Sequence, residues 1–362
     1  MQLRGVSFGL LALLALPALA GCGAGAGAGA GLPLAPGATS DSALRALPGE
    51  RFIRYIPATG IDGDLLSITV GPDGALWFTE TSSGAIGRVD VTGHVTSYPV
   101  SPSAGVPVAI TSGPDGNLWF TLGGGSQQGI GRITPAGAIS VFPFGKAFDT
   151  ELDITAGPDG NLWFTDFDNN MVGKVTTQGV VTEYPIPNIG APIGITLGPD
   201  KKLWICEEGA LQGNNNVPGR MLRMTTTLKF KAFPLQPMSW TTAPQFVAKG
   251  PDGNLWFTEM EQTATPFNIE SITPTGTIAK YPLPASAEPP YRIASASSGS
   301  LWFTEQETYV DQVTTGGVIT RYAMPQPPGT SLPPQPRGIA FGPRRDLWWV
   351  ETSSGSIGVL RP

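Results

Sequence analysis

Histidine is nearly absent from this chain: one residue, His94, occurs in 362. Because histidine is the usual general base near neutral pH and the commonest metal ligand, this scarcity excludes sites built on paired histidines. The only Gly-x-Ser-x-Gly string, at residues 5–9, lies in the apolar N-terminal segment and not in a strand-to-helix turn, and no phosphate-binding glycine loop is present. The sequence therefore lacks the common short motifs of catalysis.

Charge is also scarce, since charged residues make up 14% of the chain and the formal net charge is −6. A nucleic-acid partner does not fit, because binding phosphate requires a basic stripe. No run of like charges indicates a membrane-binding patch. The 48 Gly and 36 Pro residues, with ample Trp and Phe, instead favour many tight turns between short packed strands.

The N-terminus, residues 1–21, has the composition of a signal peptide. Arg4 is its only charge, and its apolar run of roughly a dozen residues is too short to span a membrane comfortably. The segment Leu19-Ala20-Gly21-Cys22 resembles a bacterial lipobox, whose cysteine becomes lipidated and N-terminal after cleavage. Ordinary secretion, with Cys22 next to a small-residue cleavage site, is the alternative. We predict an exported protein, a cell-surface or periplasmic lipoprotein or otherwise a secreted one, that meets the membrane only through a lipid anchor.

Residues 22–50 are rich in Gly, Ala, Pro and Ser without periodic apolar residues, which predicts a flexible tether. The only other cysteine is Cys206, so no intrachain disulfide is expected. Because no histidine follows it nearby, we predict that Cys206 is a buried, inert thiol.

The string Gly-Pro-Asp-Gly-Asn-Leu-Trp-Phe-Thr occurs at 113–121, 157–165 and 250–258. Weaker copies bring the total to seven, and their tryptophans are Trp77, Trp119, Trp163, Trp204, Trp256, Trp302 and Trp348. Successive tryptophans are 42, 44, 41, 52, 46 and 46 residues apart. A period of about 40–50 residues with strand-type content is typical of β-propeller blades, whereas helical repeats would not tolerate Gly-Pro-Asp-Gly in each copy.

Each repeat can be divided into four short strands, which in the second copy lie at 107–112, 118–121, 130–133 and 138–142. Four antiparallel strands per unit and seven units predict an all-β, seven-bladed β-propeller. Since each blade must bury both faces, the Trp and Phe of its second strand should pack between adjacent blades.

The two ends of the repeat region complement each other. The seventh copy stops after three strands, and Arg51–Pro57, ahead of the first copy, is similar to the fourth strands at 181–185 and 278–282. This segment can supply the missing strand of the last blade, and such closure removes an exposed sheet edge. We predict one propeller domain over residues 51–362, in a monomer.

Three segments carry a family resemblance: GPDGALWFTE (71–80), IGRITPAG (130–137) and ITPTGTIAKYPLP (272–284). They resemble repeats of the streptogramin lyases, also called virginiamycin B lyases, and the likeness covers residues 51–362. The resemblance implies that a cyclic depsipeptide antibiotic is opened at its ester linkage by elimination, with a histidine base and a Mg²⁺ ion held by glutamates. Removing a proton next to a carbonyl needs a base with a pKa near the working pH and a cation to stabilise the developing charge.

The chain departs from this pattern at histidine. His94 lies beside the predicted turn between the third and fourth strands of blade one, on the face opposite the loops that follow the second strands. We therefore predict a ligand-binding propeller without the family's histidine base. The alternative is a divalent-metal-assisted lyase of the streptogramin B ring-opening type, or a lactonase-like hydrolase, that uses carboxylates.

Acidic residues follow the aromatic pair in several second strands. Glu259, Glu261 and Glu305 are the candidate catalytic carboxylates, and Glu259 and Glu305 are the candidate ligands of a hard cation. Further candidates on the same face are Glu80, Asp166, Glu207, Trp240, Tyr291, Arg292 and Glu351. Each acid could instead hydrogen-bond a neighbouring blade or stay solvated, and Trp240 could pack under a long loop. Because the loops of blades four and five are elaborated on this face, a small molecule, peptide or glycan is the expected partner.

Lipidation can be tested at Cys22. The substitution Cys22→Ser removes the thiol that would carry the lipid, so incorporation of labelled palmitate should be lost. Cys206→Ser is the matched control and should leave the labelling unchanged. Labelling that persists in Cys22→Ser would contradict the lipobox interpretation.

Overall fold

The structure is a computed structural model. It describes residues 45–47, 51–57, 64–124, 129–143, 153–188, 190–212, 215–236, 238, 241–261 and 266–361. Over these ranges it consists of β-strands and one 3-10 turn at Pro102–Ala104, and it contains no helix long and apolar enough to cross a membrane. The predicted signal peptide, Cys22 and most of the predicted tether lie outside the described residues.

Seven antiparallel sheets follow one another along the chain, and each is one blade. From the ring axis outwards, blade one comprises Leu65–Val70, Leu76–Glu80, Ala85–Val89 and Val95–Pro99; blade two Val106–Ser112, Leu118–Gly123, Gly129–Ile133 and Ile139–Pro143; blade three Ile154–Ala156, Leu162–Asp166, Met171–Val175 and Val181–Pro185. Blade four comprises Ala191–Leu197, Leu203–Glu208, Arg220–Met224 and Phe230–Pro234; blade five Thr242–Lys249, Leu255–Glu261, Asn268–Ile272 and Ile278–Pro282; blade six Pro290–Ser295, Ser300–Glu305, Tyr309–Thr314 and Ile319–Ala323. A two-stranded hairpin, Ala210–Gln212 with Asn215–Val217, extends the loop after the second strand of blade four.

Blade seven confirms the predicted closure. Its own strands are Pro336–Phe341, Leu347–Glu351 and Ser356–Arg361, and Arg51–Pro57 pairs with the last of them. A fifth strand, Arg45–Leu47, pairs with Arg51–Pro57, so this sheet begins within the segment assigned to the tether. The first strand of every blade contacts the first strands of both neighbours, including blade seven with blade one. The ring of seven blades is therefore continuous, as the repeat predicted.

The repeated turn is fixed by its aspartate. In blade one, Asp73 accepts hydrogen bonds from the indole N–H of Trp77 at 2.9 Å and from the Arg88 side chain at 2.8 Å. Partial burial alone would raise the pKa of Asp73, but these bonds outweigh it and lower the pKa. Gly74 follows with a φ of 75°, in the left-handed region that favours glycine. The Pro-Asp-Gly order thus serves the turn and the neighbouring tryptophan at once.

The aromatic pair packs between blades, as predicted. Trp77 lies in a cluster with Leu118 and Phe120 of blade two, whereas Phe78 lies against Trp348 of blade seven. Each face of the second strand therefore contributes one large ring to a different interface, and burying such rings supplies much of the packing energy of a propeller.

The threonine that follows the aromatic pair fastens one blade to the next. The Thr79 hydroxyl accepts a hydrogen bond from the Ser67 N–H at 3.0 Å and donates one to the Val108 carbonyl of blade two at 3.0 Å. Ser67 lies at a β-bulge, where the pairing register shifts and the ladder leaves backbone groups unpaired. The same pair of bonds is made by Thr165, Thr258 and Thr304.

Two blades have another residue at this position. Blade seven has Val350, and blade four has Cys206, whose side chain is fully buried as predicted. Burial raises the pKa of the Cys206 thiol. A residue without a hydroxyl therefore fits this site sterically, which makes the hydrogen bonds separately testable.

Replacing Thr79→Val should lower the free energy of unfolding by about 1–3 kcal/mol, because two buried backbone groups lose their partner while the shape is kept. Urea unfolding measures the change. Thr320→Val, at an exposed position of an outer strand, is the control and should shift the free energy by less than about 0.5 kcal/mol. Equal effects of the two substitutions would contradict the role given to the hydroxyl.

Candidate functional site

Second strands end and first strands begin at the same edge of the ring, which we call the upper face; the Gly-Pro-Asp-Gly turns form the lower face. In blade five, for example, Glu259 pairs with Pro244 at the upper edge of the sheet. His94 lies on the lower face, exposed in the turn between two outer strands. The chain's one histidine and the predicted ligand face are thus at opposite ends of the ring.

Side chains at or next to the starts of the first strands meet near the upper end of the central channel. They surround a cavity of about 10 Å³ and are Leu66, Val108, Asp153, Ile193, Phe246, Tyr291 and Arg292. A space of this size holds about one water molecule. These residues therefore form a floor, and any larger ligand on this face binds above it.

An ion pair crosses the floor from blade six to blade three. Arg292 Nη1 lies 2.9 Å from Asp153 Oδ1, and the other oxygen of Asp153 accepts a hydrogen bond from the Ile195 N–H at 3.0 Å. The Arg292 guanidinium also stacks 3.9 Å from the centre of the Phe246 ring, which meets Tyr291 edge to face at 4.9 Å. The structure thus places the two predicted ligand contacts, Tyr291 and Arg292, in the floor itself.

The predicted acids lie at the upper ends of their strands and are almost completely buried. They are Glu80, Asp166, Glu207, Glu259, Glu305 and Glu351, each 0–1% exposed. Their partners include fourth-strand residues of the same blade, such as Ser97 in blade one, Lys280 in blade five and Arg321 in blade six. The acids therefore point away from the ring axis and do not form a ring of carboxylates around the channel.

Two further predicted residues cannot be placed in the same way. Trp240 lies outside the described residues. Glu261 ends the second strand of blade five, but its side chain also lies outside the described part. Both stay predictions.

In blades one, four and seven the acid has a hydrogen-bond or ion-pair partner within its own blade. Glu207 is ion-paired with Arg220, and Glu351 accepts a hydrogen bond from the Trp349 indole at 2.6 Å. Burial raises the pKa of Glu80 and of Glu207, and it raises that of Glu351 to about 7. In blade three, burial likewise raises the pKa of Asp166 to about 7.

Blade five holds two carboxylates around one ammonium group. Lys280 Nζ lies 3.0 Å from Glu259 Oε2 and 2.5 Å from Glu270 Oε1. Burial, and then the adjacent Glu259, raise the pKa of Glu270 to about 9. At neutral pH this cluster therefore carries one proton on Glu270 besides the charge of Lys280.

Blade six repeats this arrangement with a guanidinium group. Arg321 Nη2 lies 2.7 Å from Glu305 Oε2, and its Nε lies 3.3 Å from Asp311 Oδ2. Burial, and then the charge of Glu305, raise the pKa of Asp311 to about 8. The Glu288 N–H also donates to Glu305 at 2.9 Å. In both blades a cationic side chain of the protein is already bound by the pair of acids.

Glu270 and Asp311 were missed by the sequence reasoning, although a signal existed. Most blades have glycine at this position of the third strand, because the ring of the second strand covers it: a Cβ on Gly87 would lie 2.1 Å from Phe78. In blades five and six the Ile-Gly-Arg of the repeat becomes Ile-Glu-Ser and Val-Asp-Gln. An acid in place of a sterically required glycine, opposite a base in the next strand, marks these two blades.

The chain was compared with known proteins once this geometry was established. The model of the virginiamycin B lyase family matches residues 48–217 and 208–362. The chain belongs to this family. A curated virginiamycin B lyase from Mycolicibacterium smegmatis is 51% identical over 45 residues, a match that spans 12% of this chain and 16% of that relative.

Solved structures of the virginiamycin B lyase family share the ring. A streptogramin B lyase superposes with a TM-score of 0.72 at 29% identity, over 86% of this chain and 97% of that one. A catalytically inactive virginiamycin B lyase from Staphylococcus aureus, in which alanine replaces a histidine, was solved with quinupristin. It superposes with a TM-score of 0.73 at 28% identity, over 86% of this chain and 100% of that one. A gluconolactonase from Xanthomonas campestris shares the fold alone. It superposes with a TM-score of 0.50 at 12% identity, over 87% of this chain and 91% of that one.

The Mg²⁺ ion that the family resemblance implies does not fit the described donor set. The paired acids of blades five and six are each bound by Lys280 or Arg321, so a Mg²⁺ ion would have to displace a cationic side chain of the protein to reach their oxygens. Over the described ranges, no group of three or more His, Cys, Asp or Glu side chains is arranged to hold a metal. No step through a metal is therefore assigned to these residues.

The buried acids predict an unusual pH dependence of stability. Between the ordinary pKa of aspartate, about 4, and about 8, folded Asp311 keeps a proton that the unfolded chain has released. Raising the pH through this window favours the unfolded state, by at most about 1.4 kcal/mol per pH unit for one site. We expect Asp311→Asn, which mimics the protonated acid, to become progressively more stable than the natural chain from pH 5 to pH 9 in urea unfolding.

Asp115→Asn is the contrasting control. Partial burial alone would raise the pKa of Asp115, but hydrogen bonds from Asn117 and Trp119 outweigh it and lower the pKa. The contribution of Asp115 to the free energy of unfolding should be present above pH 4 and lost on acidification. The difference in this free energy between Asp115→Asn and the natural chain should not change between pH 5 and pH 9. Parallel pH curves for Asp311→Asn and the natural chain would contradict the raised pKa of Asp311.

Proposed function

We propose that this member of the virginiamycin B lyase family is exported, binds a small molecule, peptide or glycan at its upper face, and does not perform a histidine-dependent elimination. The observation that carries the proposal is that the paired acids of blades five and six are already bound by cationic side chains of the same blade. Lys280 and Arg321 are bound by them inside the protein, at 2.5–3.3 Å.

The geometry of these acids supports binding over proton abstraction. A general base must bring a lone pair within about 3 Å of the proton that it removes. Glu259 and Glu305 are 0% exposed, and each has an oxygen engaged by a cation of its own blade. Reaching a substrate would require breaking a buried ion pair, at a cost of about 3–5 kcal/mol.

The position of His94 gives independent support. It is exposed on the lower face, where its backbone N–H donates a hydrogen bond to Asp90 Oδ1 at 3.0 Å within the turn. Because His94 lies beside the outer strands at the opposite edge of blade one, the length of those strands separates it from a ligand on the upper face.

A pre-formed rim supports ligand binding on the upper face. The hairpin loop of blade four is fixed at both ends to blade five: the Gly209 N–H donates to the Thr242 carbonyl at 3.1 Å, and the Gly219 N–H donates to the Thr242 hydroxyl at 2.8 Å. A loop anchored on a rigid ring loses little entropy when a ligand binds. Beneath it, the buried Gln245 amide donates to Glu208 at 2.5 Å.

Quinupristin, the molecule found with the Staphylococcus aureus relative, is the probe for this proposal. We expect saturable binding, measured by calorimetry, while mass spectrometry shows an unchanged antibiotic after long incubation with Mg²⁺. Binding without ring opening is expected because the candidate bases Glu259 and Glu305 are buried and engaged by Lys280 and Arg321. An active virginiamycin B lyase, linearising the same sample, is the positive control.

The alternative, a carboxylate-dependent lyase or lactonase-like hydrolase, predicts turnover. Ring opening that is lost in Glu259→Gln or Glu305→Gln and kept in Glu80→Gln would establish it and overturn the binding-only proposal. Turnover of a lactone in place of the depsipeptide, with the same dependence on Glu259 or Glu305, would establish the hydrolase.

A further inference from the structure

A second cavity lies on the lower face, opposite the proposed ligand face. It has a volume of about 570 Å³ and opens between the first turns of blades six and seven. Ligand pockets usually have about 300–1,000 Å³. Its lining includes Ser297, Ser298, Gln312, Arg344 and Arg345.

In blades one and four this corner is filled by an ion pair. Asp73 of blade one is bound by Trp77 and by Arg88, and in blade four Arg223 lies 3.6 Å from Asp200. The carboxylate and the third-strand arginine together cover the edge of the tryptophan.

Blade six lacks both partners of that pair. Ser298 stands in place of the aspartate and Gln312 in place of the arginine, and the Gln312 amide donates to the Ser300 hydroxyl at 2.8 Å. These side chains are shorter and uncharged, so they leave an open corner lined with hydroxyl and amide groups.

Blade seven reverses the charge on the other side of the corner. Arg344 and Arg345 replace the Asp-Gly of the repeat, and both are exposed. Arg345 adopts a φ of 65°, where blade one has Gly74 at 75°. A non-glycine residue costs about 1–2 kcal/mol in this conformation. Asp346 also lines the cavity, but it is buried and lies 3.5 Å from Arg361, so the exposed charges at the opening are those of Arg344 and Arg345.

We propose that this cavity binds a small hydroxylated carboxylate, that is, an acidic saccharide unit. The two guanidinium groups are suited to a carboxylate, which arginine binds in a bidentate manner. The serine hydroxyls and the Gln312 amide supply donors and acceptors for sugar hydroxyls. The site is separate from the upper face, so it holds whether or not the proposed function does.

Glucuronate is the probe, and glucose is the neutral reference. Calorimetry at low salt should detect saturable binding of glucuronate at least tenfold tighter than that of glucose, and the affinity should fall as salt is added, because the contacts are ionic. The double substitution Arg344→Asp with Arg345→Gly restores the Gly-Pro-Asp-Gly turn and should weaken glucuronate binding at least tenfold.

The restored turn is used by blades one, two, three and five, so this variant is expected to fold, which a melting curve verifies. Lys201→Gly is the matched control: it removes a cation at a φ of 57° from the corresponding turn of blade four and should leave binding unchanged. Equal binding of glucose and glucuronate, absence of binding, or full binding by the double variant would overturn the proposal. Inorganic sulfate binding as tightly as glucuronate would overturn the role given to the hydroxyl and amide groups.

Discussion

A buried threonine at one repeated position of the second strands links neighbouring blades through the hydrogen bonds of its hydroxyl group. In blades one, five and six this hydroxyl accepts from a bulged first strand and donates to the first strand of the next blade, as Thr79 does between Ser67 and Val108. Thr165 makes the same two bonds in blade three. The channel-lining strands are thereby fixed to one another through second strands as well as by direct hydrogen bonds, such as that from the Ile195 N–H to Asp153. Because the bulge sets where each first strand turns towards the axis, the same bond determines which side chains reach the floor.

This constraint explains why the acids that end the second strands are buried rather than free on the upper face. The residue after the threonine starts from a fixed backbone, and its side chain is directed into the interface between blades. There it must find a partner, since an isolated buried charge is costly. Small third-strand residues leave room for a serine or an indole, whereas Glu270 and Asp311 bring a second acid and require Lys280 or Arg321. The same third-strand and fourth-strand residues therefore determine both how the blades pack and how the buried acids are neutralised.

Much of the fold could be predicted from the sequence because the repeat records it. Seven tryptophans, four strands per unit and the matching ends determine the ring, and closure by Arg51–Pro57 followed from them. The acids were located at the correct edge, but their direction was not predictable. It depends on which residues stand opposite in the third and fourth strands, and so on register and on the rings that cover Gly87 and its equivalents. Tyr291 and Arg292 belong to the floor because a bulge shifts the first strand, which no local pattern reveals.

Closure by the N-terminal strand also orders events in time and directs force. Arg51–Pro57 is synthesised before every blade, yet its partner Ser356–Arg361 is made last, so the ring completes only after the whole domain has been produced. Until then Arg51–Pro57 keeps an unpaired edge. Pairing between strands so distant in the sequence is slow to form. In the finished protein, tension applied through the preceding residues would run along Arg51–Pro57. It would load the hydrogen bonds to the last strand together, in shear, rather than open them one after another.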